Sequence, residues 1–187
     1  MTPTVIVASG HLTDAPDRPQ PRFPESEVGR VELDIARILD SWGVGEGTTL
    51  ITGGARGADL ICAEGALERG GGVVLVLAED VDSFVRRSVD GSDPSWRDRF
   101  DAARRRASEV HVLDPASSDP GVGMHDAANR RMIELARDAS GEAGPRAIVV
   151  WNGEEGDGPG GTRDFLRRMG VTGPGERVAI VDPTPRR

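Results

Sequence analysis

The sequence has no lysine at all, so every one of its 23 basic residues is arginine. It has a single cysteine, Cys62. One thiol excludes a disulfide framework and a cysteine-based zinc cluster within the chain. It also points to a reducing, cytoplasmic setting. No apolar stretch approaches the length that spans a bilayer. The run in MTPTVIVASGH is too short, and lacks the basic flank, for a signal peptide. Positive charge is scarce as well: the formal net charge is -8. A general nucleic-acid or anionic-membrane surface needs a basic face and is therefore not expected. A small anionic ligand held by two or three local arginines remains compatible with that balance. The all-arginine usage reads first as a GC-rich coding background.

The 187 residues suit one domain spanning 1–187, with enough chain for a full core. The 25 glycines and 13 prolines fall mostly between apolar runs and mark turns. Those runs predict strands at Val5–Ala8, Thr49–Thr52, Val73–Leu77, Val110–Leu113, Ala147–Trp151 and Val178–Val181. They are apolar throughout and do not alternate, which is the pattern of strands buried on both faces. Helical spacing predicts helices at Glu25–Trp42, Ala58–Arg69, Val81–Val89, Pro94–Arg106, Asp126–Ala139 and Thr162–Met169. The alternation implies right-handed βαβ crossovers. The expected fold is α/β: a single doubly wound, mostly parallel sheet, Rossmann-like, with helices on both faces.

In such sheets ligands bind outside the carboxyl ends of the strands, where the strand order reverses. Three loops qualify by position. The sharpest is Gly53-Gly54-Ala55-Arg56-Gly57-Ala58-Asp59, between a strand and a helix. Glycines let the backbone approach an anion, the helix N-terminus offers N–H groups, and Arg56 can supply a bidentate contact. Asp59 either caps its helix or accepts from a ribose hydroxyl. This is neither Gly-x-Gly-x-x-Gly nor a loop ending in Gly-Lys-Ser/Thr. A second loop, Asn152 through Gly160, Gly161 and Thr162, again precedes a helix. The third begins Ser9-Gly10-His11, with Asp14 following. His11 and Asp14 read either as ligand contacts or an acid/base pair, or as parts of a turn. The Pro-rich segment after them, with Arg18, Arg22 and Phe23, is either a lid or a solvated loop. Asn129, early in a helix, is within possible reach of the site. Arg130 and the Arg104–Arg106 run read as surface. His111, inside a strand, reads as structural, and Trp96 with Phe100 reads as core.

Taken in order, Ser9-Gly10-His11, Asp14-Ala15-Pro16, Pro21-Arg22-Phe23-Pro24, Gly54 to Asp59 with Glu64, Phe84 with Ser88-Val89, Trp96 with Arg99-Phe100, Ala128-Asn129-Arg130, and Trp151-Asn152-Gly153 with Gly160-Gly161-Thr162 cover nearly the whole chain. This ordered set resembles the SLOG superfamily, the Rossmann-like domains related to LOG phosphoribohydrolases and DprA-type proteins. It is most similar to SLOG-type domains of bacterial signalling proteins. The resemblance implies binding of a nucleotide or nucleotide-derived signal, with the favoured role a binding module. It implies no cofactor and no metal, a homodimer, and an effector protein encoded separately. The alternative it carries is nucleotide N-glycoside hydrolysis, with Asp59, Glu64 or Asp14 as the acidic group. LOG enzymes use a Pro-Gly-Gly-x-Gly-Thr-x-x-Glu motif. Here Phe165 stands where that glutamate is expected, and phenylalanine can neither stabilise an oxocarbenium charge nor move a proton. Asp164 is adjacent, but one residue along a helix turns a side chain by about 100°.

Overall fold

The structure is a computed structural model that describes residues 4–114, 123–154, 161–171 and 173–186. Six strands form one sheet: β1 (Thr4–Gly10), β2 (Thr48–Thr52), β3 (Gly72–Leu77), β4 (Glu109–Val112), β5 (Arg146–Val150) and β6 (Val178–Val181). Their order is β4-β3-β2-β1-β5-β6. Every neighbouring pair is parallel, so the sheet is parallel throughout.

The helices are α1 (Val28–Ser41), α2 (Ala58–Glu68), α3 (Val81–Phe84), α4 (Ser95–Arg106), α5 (Met124–Ser140) and α6 (Thr162–Met169). Alternate residues of each strand face opposite layers. Ile6, Ala8, Leu50, Leu75 and Ile148 pack with Ile35, Leu60, Ala63 and Phe100 of α1, α2 and α4. Val5, Val7, Ile51, Val76 and Val149 pack with Met132, Ile133, Phe165 and Leu166 of α5 and α6. This is the doubly wound α/β fold expected from the alternation.

Several boundaries differ from expectation for local reasons. The helix expected from Glu25 begins as a 3₁₀ turn over Glu25–Glu27, after Pro24, before α1 takes over at Val28. The helix expected over Val81–Val89 is α3 followed by a π turn, Val85–Val89, where the Asp90 N–H reaches the Val85 carbonyl. The fourth strand is not buried on both faces. β4 is an edge strand, and Val110 and Val112 are 38% and 49% exposed. Helix α2, apolar around most of its circumference, is instead buried nearly all round. Trp96 and Phe100 are core residues, as their spacing suggested.

The chain leaves β4 at one edge, passes through α5 and enters β5 on the far side of β1. The order therefore reverses between β1 and β5, which opens a crevice above their carboxyl ends.

Candidate functional site

A cavity of about 510 Å³ lies at this reversal point. Its wall is built first from the end of β1. Gly10 pairs with Val150 across the sheet, and a Cβ on Gly10 would stand 2.5 Å from the Val150 carbonyl. Only glycine lets β1, β5 and α2 approach so closely here. The next residue, His11, gives its backbone N–H to that carbonyl at 2.9 Å. Its imidazole Nε2 lies 2.9 Å from Asn152 Oδ1, beyond β5. Burial holds the His11 imidazole below its ordinary proton affinity, against the opposing hydrogen bond with Asn152. The ring is therefore neutral at physiological pH.

The floor comes from the loop after β2. Asp59 is buried on the first turn of α2 and lines the cavity. It does not cap its own helix: Oδ2 accepts the Ala55 N–H at 3.2 Å. Burial pushes its carboxyl up to about 7, against the hydrogen bonds it accepts. Among the described residues no cation is paired with it. A Cβ on Gly53 would stand 2.7 Å from Asp59 Oδ2, so glycine there makes room for the carboxylate.

The open amide cradle expected in this loop is not what the backbone forms. The Ala58 N–H goes to the His11 carbonyl at 3.2 Å and the Arg56 N–H to the Ser88 carbonyl at 2.9 Å. Gly54 packs on Leu75, Leu77 and Phe100. Gly57 has φ +86°, and a Cβ on it would stand 2.8 Å from the His11 carbonyl. Gly54 and Gly57 thus serve packing and do not line the cavity. Arg56 does line it, half-buried; its Nη1 donates to the Asp90 carbonyl at 3.0 Å. The Arg56 Nε N–H is buried with no acceptor among the described residues.

The Pro-rich segment closes the cavity from the side. Asp14 Oδ2 accepts the N–H groups of Arg22 and Phe23, both at 2.8 Å, and the Asp14 N–H returns to the Phe23 carbonyl. Phe23 is fully buried in the core. Asp14 therefore staples a loop of fixed shape, which sets Arg18 and Arg22 along the cavity wall. Its carboxylate is engaged by these backbone donors and by Arg18 at 3.5 Å. Those bonds give it a shaping role, and its negative charge also acts on His11, favouring the protonated imidazole against the dominant effect of burial.

Helix α5 supplies Asn129, buried at the cavity edge, with His125, Ala128 and Met132 on the same helical face. Gly161 and Thr162, at the start of α6, complete the wall beside Trp151. Gly160 lies outside the described residues. Asp126 pairs with Arg130 within α5 (3.0 Å) and joins α5 to α6 through Arg168 (2.6 Å). Arg168 also bonds Asp164 at 2.8 Å. Arg130 is accordingly an ion-pair partner on the surface. Phe165 is fully buried in the second core layer, so no carboxylate takes the place of the motif's glutamate.

No family model matches the chain. No curated protein matches it. Solved structures do resemble it in outline. DNA processing protein A (DprA) from Streptococcus pneumoniae has a TM-score of 0.43 at 17% identity, over 96% of this chain and 58% of that one. The protein designated TM1055 has 0.40 at 15%, over 79% and 60%. The Moco carrier protein from Chlamydomonas reinhardtii has 0.38 at 15%, over 95% and 88%. The chain thus spans about three fifths of the length of the first two. The fold itself rests on the strand order and pairing described above.

Glu64 is not brought to the cavity. Its Oε1 accepts from Arg99 Nε at 2.9 Å, Arg99 Nη2 also bonds Glu32 at 2.9 Å, and the guanidinium lies 4.1 Å over the Trp96 ring. It is a structural ion pair of α2, α1 and α4. His111 bonds Glu109 at 3.0 Å on the edge strand, away from the cavity. Sequence reasoning passed over Thr13, Ser88, His125 and Met132 as site residues. His125 had a usable signal, because it stands four residues before Asn129 and shares its face. Ser88 stood among the residues that carry the family resemblance, but its place at the cavity depends on the π turn. Among the described residues no group of three or more His, Cys, Asp or Glu side chains is placed to hold a metal ion. No helix among them is long and apolar enough to cross a membrane.

Proposed function

We propose that this protein binds a phosphorylated, nucleotide-like small molecule in the cavity between the ends of β1, β2 and β5. The observation that carries the reading is a convergence of arginines. Arg18 and Arg22 from the Pro-rich loop and Arg56 from the β2–α2 loop line one cavity in a chain whose net charge is -8. Guanidinium groups are suited to bidentate phosphate contact. The volume of about 510 Å³ lies within the range of small-molecule sites. Apolar walls from Phe84, Met132 and Trp151 suit the flat, uncharged part of such a ligand. The bound state would be passed to a second copy of the chain or to a separate effector.

Titration calorimetry with AMP, NAD, ADP-ribose and cyclic dinucleotides tests this reading. Binding that weakens at least about tenfold in Arg56→Ala, the loss expected for a charge-assisted hydrogen bond, supports it. Binding unaffected by removal of Arg56, Arg22 and Arg18 in turn contradicts it.

One observation favours a second reading, N-glycoside hydrolysis. Asp59 is buried at the cavity with its carboxyl raised to about 7, the range in which a general acid works at neutral pH. Release of free base that is lost in Asp59→Asn would establish it. The buried Phe165 weighs against it.

A further inference from the structure

We infer that this chain pairs with a second copy of itself along the free edge of β4, antiparallel and centred on Val110, so that two sheets continue into one. The inference does not depend on the nucleotide-binding reading. It assigns a face and a register to a homodimer, which the sequence leaves without either.

Strand β4 is the outermost of its side of the sheet and packs mainly on β3. Strands of a doubly wound sheet are ordinarily covered on both faces, yet Glu109, Val110 and Val112 are exposed and His111 is only half-buried. Val110 and Val112 are two of the three exposed large apolar side chains among the described residues. The opposite edge is better protected, since Val178 and Val181 of β6 are buried. An edge strand also leaves a row of backbone N–H and C=O groups unpaired, which is a template for another strand.

The side chains of β4 are complementary to themselves. Val110 and Val112 share one face of the strand, Glu109 and His111 the other. His111 Nε2 lies 3.0 Å from Glu109 Oε2 within the strand. About a two-fold axis through Val110, residue 109 of each copy stands opposite residue 111 of the other. Each carboxylate then lies beside two imidazoles, its own and the second copy's, and valine meets valine on the other face. Directly opposite residues of an antiparallel pair interact in this way. An axis through His111 would instead set imidazole against imidazole, and an axis between Val110 and His111 would set Glu109 against Val112. The Val110 register alone matches apolar with apolar and acid with base. A two-fold pairing closes on itself, so it gives a dimer and not a fibre. One short strand makes a small interface, so the dimer is weak.

Sedimentation velocity on the purified chain, from about 5 µM to about 500 µM, covers the range of such an interface. A shift from monomer to dimer with concentration is expected. Val110→Lys, which sets like charges opposite each other, should weaken it about tenfold or more. Cysteine linking with oxidised glutathione reads the register. In Val110→Cys the two Cα atoms stand about 4.5–5.5 Å apart, within disulfide reach, while in His111→Cys they stand beyond about 7 Å. Cys62 is fully buried and stays out of the reaction. Linking is therefore expected for Val110→Cys and not for His111→Cys. A chain that stays monomeric throughout the range overturns the inference. So does a dimer that Val110→Lys leaves intact, or one that His111→Cys links as readily as Val110→Cys. The wild-type series and the conservative Val110→Cys keep the test decisive if Val110→Lys fails to fold.

Discussion

His11 Nε2 lies 2.9 Å from Asn152 Oδ1, joining the loop after β1 to the loop after β5 across the point where the strand order reverses. Asn152 Oδ1 also takes the Glu154 N–H at 3.2 Å, so this oxygen is an acceptor. The proton then resides on His11 Nε2, and Nδ1 keeps its lone pair. This bond joins the two loops that leave the paired strands β1 and β5 at the mouth of the crevice.

The pair should act as a clamp. His11→Ala and Asn152→Ala are each expected to lower stability, and the double variant to lose less than the sum by about 1 kcal/mol. Chemical denaturation of the four proteins measures this coupling. Strict additivity would mean that the two loops are held by other contacts.

Asp59 makes stability fall with rising pH. Its folded carboxyl is raised from an ordinary 3.8 to about 7. Between those values the folded chain keeps a proton that the unfolded chain has released. The contribution is fully present below about pH 4 and disappears as pH rises through about 7, and it is on the order of 4 kcal/mol in full. Comparing Asp59→Asn with wild type from pH 4 to 8, the variant should gain relative stability as pH rises. A constant difference across that range would show that the buried carboxyl titrates normally.

The parallel sheet, its two layers and the three ligand-side loops were legible because apolar runs and Gly-rich breaks occur at regular intervals. The Asp59 and Arg56 positions followed from their place between strand and helix. What sequence could not show was where backbone N–H groups go. The loop at Gly53–Asp59 looks like an anion cradle, yet two of its amides bind the His11 and Ser88 carbonyls, and those residues are remote in the chain. Glu64 misled for a related reason. Its partner Arg99 lies 35 residues away, and nothing local marks the pair. The turn that places Ser88 is a π turn, which helical spacing does not distinguish from α.

Gly57 is expected to resist substitution. Alanine there meets both a left-handed φ of +86° and the His11 carbonyl at 2.8 Å. A loss of about 2–4 kcal/mol is expected, from backbone strain with overpacking. Gly70, also at positive φ but with open space around it, serves as the comparison. Gly70→Ala should cost only the conformational part, about 1 kcal/mol. Equal losses at both sites in thermal unfolding would remove the argument that Gly57 seats the β1 loop.

Glu64→Gln separates structure from function among the three acids. Its half-buried pair with Arg99 contributes on the order of 1 kcal/mol, reduced by its exposure to solvent. Melting should shift down by a few degrees, about 2–4 °C per kcal/mol, while nucleotide affinity stays unchanged. Loss of affinity with intact stability would return Glu64 to the site.

The central claim is that the arginine-lined cavity binds a nucleotide-like phosphate, and the most direct measurement is thermal unfolding of the purified chain against a nucleotide panel. A ligand at 100 times its dissociation constant stabilises by about 2.7 kcal/mol, a rise of about 5–11 °C for a chain of this size. The account predicts a rise of that size for one ligand class, cut to about half or less in Arg56→Ala, because binding about tenfold weaker leaves the ligand at about 10 times its dissociation constant. No rise for any member, or a rise left intact by removal of Arg56, Arg22 and Arg18 in turn, would contradict it.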